Sequence, residues 1–340
     1  MNFWDRLSPW NLGYVSVLSL GLSKPTYKVD QVPEPFHEYF IVSGYRHPKS
    51  TAVQCILSLF YATNETLNFW THFLPSLYFL WSLCGLSQSV DFLNDPFSYP
   101  LLAYLVVWCV FPLSSAIAHT FNTMSVHARH ICFFIDYGSN SLFSLAVAVG
   151  YRAYIFPEYF SNTLYSDFYL AGAMFNSILC TVCACQTRFM KRSYFRTALR
   201  LSAFALPYVY DSVPVIGRLL LCTPEECALS SQLPHARQFI FAITAAFLYA
   251  THIPERLNPG KFDIIGHSHQ LFHISTAIGV MDQVAAVVLD FQERRAIIKD
   301  DFMFASPLYS IGAVTSILVI NTCIILLFSY RLIRATKKTN

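Results

Sequence analysis

An all-α, polytopic membrane helix bundle, with a seven-helix core and an eighth C-terminal span, is the fold class this sequence predicts. Three observations predict it. Of 340 residues, 54% are hydrophobic and only 13% are charged, where a soluble domain carries about a quarter charged residues. The mean hydropathy is +0.42. Apolar stretches of about 20 residues, the length that crosses a ~30 Å hydrocarbon core, start near Asn68, Leu101, His130, Phe168, Thr197, Phe239, His267 and Pro307. The net charge of +3 matters less than where the basic residues lie, and nothing in the composition calls for a nucleic-acid partner.

Residues 1–66 read as a cytoplasmic N-terminal segment with aromatic content, packed at the membrane surface. Its start, MNFWDRLSPWNLGYVSVLSLGLSK, is interrupted by Asp5, Pro9 and Asn11 and has no small-residue cleavage site, so it does not read as a signal peptide. Residues 67–291 form the seven-helix core, 292–330 a loop and the eighth span, and 331–340 a basic cytoplasmic tail. Basic residues gather on the side of the N-terminal segment, side A: Arg188, Lys191, Arg192, Arg196, Arg200, Arg256, Lys261, Arg331, Arg334, Lys337 and Lys338. The opposite side, B, has Arg294, Arg295 and Lys299 beside acidic residues. The positive-inside rule makes side A cytoplasmic, and eight spans return both chain ends to it. Asn64-Glu65-Thr66, the sole Asn-x-Ser/Thr site, then escapes glycosylation.

The ten cysteines show no zinc-finger pairing. Cys180, Cys183 and Cys185 read as small helix-packing residues. Cys222 and Cys227 lie in a polar loop and could form a disulfide where that loop faces an oxidising compartment.

Ionisable groups at membrane depth are costly and usually functional. Ser115 and His119, in SSAIAHTF, share a helix face. Asp136 lies early in the third span. GHSHQLFH opens the seventh span, and within it His269 and His273 have the i, i+4 relation, while His267 faces elsewhere. With the turn between the second and third spans centred near His127, His119 and Asp136 come out nearly level at about 1.5 Å per residue. Three segments thus bring His119, His269, His273 and Asp136 to similar depth on side A. Three imidazoles with a carboxylate suit zinc, which in catalytic sites takes three protein ligands and a water. Asp136 is a fourth ligand or holds and deprotonates that water, and Ser115 bonds the water or a substrate oxygen. The alternative is that the histidines cap helix starts. Elsewhere, Glu65 reads as a structural ion pair with a base such as Arg129 or Arg256. Asp211 lies near the outer end of the fifth span, where capping or interface solvation explains it as well as a ligand contact.

NETLNFWTH, SSAIAHTFNTMSVHARHICFFIDYGSNSLFSL and IPERLNPGKFDIIGHSHQLFHI resemble the segments that mark the progestin and adipoQ receptor family, over about residues 30–290. PERLNPGKFDIIGHSHQLFH and FHEYFIVSGYRHP resemble its membrane progestin receptor branch, which the eighth span also fits. The resemblance implies a Zn2+ site of His119, His269 and His273, with Asp136 holding the water and Ser115 and Ser268 completing the motifs. It also implies a plasma-membrane receptor for progestin steroids that signals through a heterotrimeric G protein, for which the Arg188–Arg200 run is one surface. The site chemistry itself points as well to a zinc-dependent amidohydrolase acting on a sphingolipid such as ceramide, with Asp136 and Ser115 as catalytic residues. Membrane lipid surrounds either one.

Overall fold

The computed structural model describes residues 26–160, 163–295, 298 and 302–337. The N-terminal 25 residues, Lys299 and Lys338, used in the reading of leader and sidedness, lie outside that set. Eight long helices are described: α1 (Thr66–Leu86), α2 (Tyr99–Phe121), α3 (Val126–Tyr154), α4 (Leu164–Thr187), α5 (Tyr194–Leu221), α6 (Gln232–Thr251), α7 (Ser268–Glu293) and α8 (Ala313–Lys337). Among the described residues there is no strand. Starts follow local capping chemistry. Ser125, Thr163 and Ser193 each accept a bond from the third backbone N–H of α3, α4 and α5, satisfying donors that a helix start leaves orphaned.

Six of the eight are long and apolar enough to cross a membrane: α2, α3, α4, α5, α7 and α8. The chain is a multi-pass helical membrane protein. Helices α1 and α6, of 21 and 20 residues, fall short of that apolarity because they turn polar groups inward. Asn68, His72 and Ser76 of α1 and His235 and Gln238 of α6 are all buried.

Helices α1 to α7 form a ring in which each packs on the next and α7 returns to α1, while α3 also reaches α5 and α7 inside it. Helix α8 lies outside the ring against α3 and α4. Lipid tails are as apolar as leucine, so close packing and interhelical hydrogen bonds hold such a bundle. The Ser177 hydroxyl of α4 donates to the Ser141 carbonyl of α3 at 2.9 Å, and the Asn321 amide of α8 donates to the Ser141 hydroxyl at 3.0 Å. Gly138 lets α8 approach: a Cβ there would stand 2.6 Å from Ile325 Cδ1.

The close-packed core occupies the side-B half. Phe79 stacks on Trp108 at 3.7 Å, and Tyr104, Tyr151, Tyr154 and Tyr169 are fully buried. On the same side Cys222 and Cys227 form a disulfide. The side-A half is hollow, and residues 26–65 cover it. Arg46 fastens this cover to the C-terminal end of α2: its guanidinium donates to the His119 and Thr120 carbonyls at 2.6 and 2.8 Å and to Asn122 Oδ1 at 2.7 Å. A cation suits that end of a helix, where carbonyls lack partners and the dipole is negative. Asp263 Oδ2 takes the Ser43 N–H at 2.6 Å and the Val42 N–H at 3.2 Å. Between these clamps Gly44 has φ +83°, and a Cβ would meet Ile264 Cδ1 at 2.3 Å, so only glycine fits.

Candidate functional site

The hollow is a cavity of about 680 Å³, lined from the N-terminal segment and from all seven ring helices, α4 contributing Cys180. Near its side-A end His119 of α2 meets His269 and His273 of α7. Their ligating nitrogens lie within 4.8 Å of one another, and His269 Nε2 stands 3.3 Å from His119 Nε2. The i, i+4 spacing on α7 sets both rings on one face, with centroids 4.4 Å apart.

Each of two rings is fixed through its other nitrogen. His119 Nδ1 bonds Glu65 Oε2 at 2.7 Å, leaving Nε2 toward the trio. Glu65 in turn accepts from Asn68 and Asn122, both at 2.8 Å. Burial by itself would raise the Glu65 carboxyl; His119, by charge and hydrogen bond, and then Arg46 outweigh it and hold the group well below the usual carboxylate range. His273 Nδ1 bonds the Asn68 carbonyl at 3.1 Å, and His72 stacks on the His273 ring at 3.7 Å. Oriented imidazoles whose free nitrogens converge can hold a metal ion. The trio is buried, His269 only partly.

Asp136 lines the same cavity, as does Ser115 of α2, but it lies outside the cluster of the three imidazoles. The α2–α3 connection is short, formed by residues 122–125, and it brings Asp136 of α3 and the Ser115–His119 face of α2 to one chamber. His267, expected to face elsewhere, bonds the Asn64 carbonyl at 3.1 Å. Ser268 is taken up by Glu255, whose Oε2 receives the Ser268 N–H at 2.7 Å; it secures the start of α7.

Two expectations, one of them an ion pair, are corrected. Glu65 pairs with His119, not with Arg129 or Arg256; Arg129 is bound to Glu38 of the surface segment. Asp211 is neither a cap nor solvated at the interface: it is 3% exposed, lines the cavity and accepts from Ser144. The basic run after α4 also turns partly inward. Arg188 and Arg200 line the cavity and bond His130 and Thr187, so its exposed part is Lys191 to Phe195. Glu65, Asn68 and His72 stand out in sequence as polar residues opening the first span, but their orienting role toward the histidines was not assigned, although the i, i+3, i+7 spacing on an apolar helix is a legible stripe.

Comparison with known proteins agrees with this architecture. The Haemolysin-III related family matches residues 60–284. The chain is 41% identical to "Membrane progestin receptor gamma-B" of Danio rerio, over 95% of this chain and 99% of that protein. It is 46% identical to "Membrane progestin receptor gamma" of Mus musculus, over 82% and 85%, and 47% identical to "Membrane progestin receptor delta" of Mus musculus, over 79% and 80%. The chain belongs to the Haemolysin-III related family, as a membrane receptor of its progestin and adipoQ group on the membrane progestin receptor branch.

Proposed function

We propose that the protein is a receptor for a progestin-type steroid, bound in the interior cavity, with a zinc ion held by His119, His269 and His273. The observation that carries the reading is the cavity. Its volume of about 680 Å³ is in the range of small-molecule sites, which are mostly apolar with a few placed polar groups. Phe111, Phe143, Phe204 and Val280 line it between polar groups. A rigid, largely apolar steroid suits such walls, and relatives of similar sequence are named as progestin receptors.

Zinc is supported by the donor set. Two imidazole nitrogens on tetrahedral zinc, each at about 2.0–2.1 Å, stand about 3.3–3.4 Å apart, and the His119–His269 separation is 3.3 Å. Zinc bound there would act as a Lewis acid toward a carbonyl oxygen. The chain's own residues do the rest: Glu65 and Asn68 fix the rings, Ser115 and Asp136 present a donor and an acceptor beside them, and the N-terminal segment covers the side-A end. Plasma-membrane residence with side A cytoplasmic, and coupling to a heterotrimeric G protein through the exposed Lys191–Phe195 stretch, belong to the same reading.

Saturable binding of labelled progesterone to purified protein, with about one zinc per chain by elemental analysis, is the expected result; its absence refutes the reading. The Ser115–Asp136 pair beside the trio favours a second activity, hydrolysis of a lipid amide such as ceramide, with Asp136 as the general base toward a water. Fatty-acid release from ceramide that Asp136→Asn abolishes would establish it, and no release from the parent protein would remove it.

A further inference from the structure

The cavity has a second polar end, and its chemistry is unlike that of the first. Asp136 and Ser144 both line the cavity from α3, eight residues and therefore about 12 Å apart along the axis. Ser144 donates to Asp211 Oδ2. Asp211 Oδ1, in contrast, is buried and has no hydrogen-bond partner. A carboxylate can accept about four hydrogen bonds, and burying one with a single side-chain donor is costly unless something else completes it.

The local fold puts Asp211 there by construction. Pro214 has no N–H, so the Tyr210 carbonyl four residues earlier loses its helical donor. The Tyr165 hydroxyl of α4 supplies one at 2.8 Å, and the Tyr169 hydroxyl bonds the Asp211 carbonyl at 2.8 Å. The backbone around this break is thus satisfied, while the side chain it presents is not.

We propose that Asp211 is the second pole of the ligand site and takes a hydrogen-bond donor, a hydroxyl, from the end of the ligand remote from the histidines. The proposal rests on the steroid reading and sharpens it: the preferred steroid is a ketone-alcohol, with its carbonyl toward His119, His269 and His273 and its hydroxyl toward Asp211. A diketone leaves the carboxylate facing a second acceptor. A ceramide, whose polar atoms all lie within a few bonds, would set an alkyl tail against it.

The test compares a pregnane diketone with the matching steroid in which the ring-A carbonyl is a hydroxyl, competing for purified full-length protein in lipid nanodiscs. Wild type is expected to favour the ketone-alcohol about tenfold, the cost of leaving one buried acceptor unpaired. Asp211→Asn, whose amide can donate to a ketone, brings the two to parity or reverses them, and retained diketone binding shows that the variant is folded. Asp211→Leu, which needs no partner, gives the same readout where the amide does not fold. Equal affinity in wild type, a diketone preference, or a preference that survives in both Asp211 variants overturns the pole alone. If neither steroid binds wild type, the steroid reading itself falls and takes this inference with it.

Discussion

Each end of the bundle buries a histidine against a carboxylate, and the two ends use the pair oppositely. On side B, Asp290 is fully buried and both its oxygens are taken: Arg218 and Ser231 donate to Oδ1 at 2.7 and 2.6 Å, and His235 Nε2 bonds Oδ2 at 2.7 Å. The far nitrogen of His235 meets Gln238 at 3.0 Å, which accepts from Tyr151 at 3.0 Å. From His235 outward the bonds end on protein, while Arg218 keeps Nε and Nη1 without partners. On side A, Glu65 likewise holds His119, but the far nitrogen of that ring points at two other imidazoles beside a cavity. The lesson is that residue type does not separate structure from function here. What separates them is whether the last free atom of the network meets protein or empty space.

Four experiments break or sharpen that contrast, taken from the largest expected effect. His273→Ala should abolish metal binding, measured as zinc per chain by elemental analysis, while the protein still elutes as a folded species. Loss of the fold instead would make the side-A end as structural as side B. Asp290→Ala should leave the Arg218 guanidinium buried without its carboxylate and destabilise by about 3–5 kcal/mol, read as a lowered unfolding temperature in detergent. Zinc content per folded molecule should not change. Glu65→Gln keeps the size of the orienting side chain but not its charge; it should weaken zinc binding about 10–100-fold in a chelator competition, with little effect on unfolding. The smallest expected effect is none at all. Asn64 is 4% exposed and its backbone is bonded to Gly44, so glycosidase treatment should not shift the mobility of the protein from eukaryotic cells.

The helical class and the long helices were legible because hydrocarbon length and apolarity are written directly into windows of the chain. Of the site, the α7 pair was legible because both its members lie on one helix at a ligand spacing. That Asp136 would share a chamber with His119 was legible from the short connection between their helices, and both line the cavity; whether the carboxylate joins the imidazoles was not, because that depends on side-chain directions a sequence does not carry. The role of Glu65 was misread because pairing across the fold is not written along the chain. Arg129 and Arg256 were the bases considered, whereas the fold takes Arg129 for Glu38 and gives Glu65 to a ring on α2. Asp211 looked peripheral by position in its helix, and only the packing of α3 against α5 shows it walled in.

Arg46 joins the water-facing cover to the carbonyl of His119 itself. That histidine thus faces two ways: its carbonyl is tied to the segment above, and its ring looks into the chamber below.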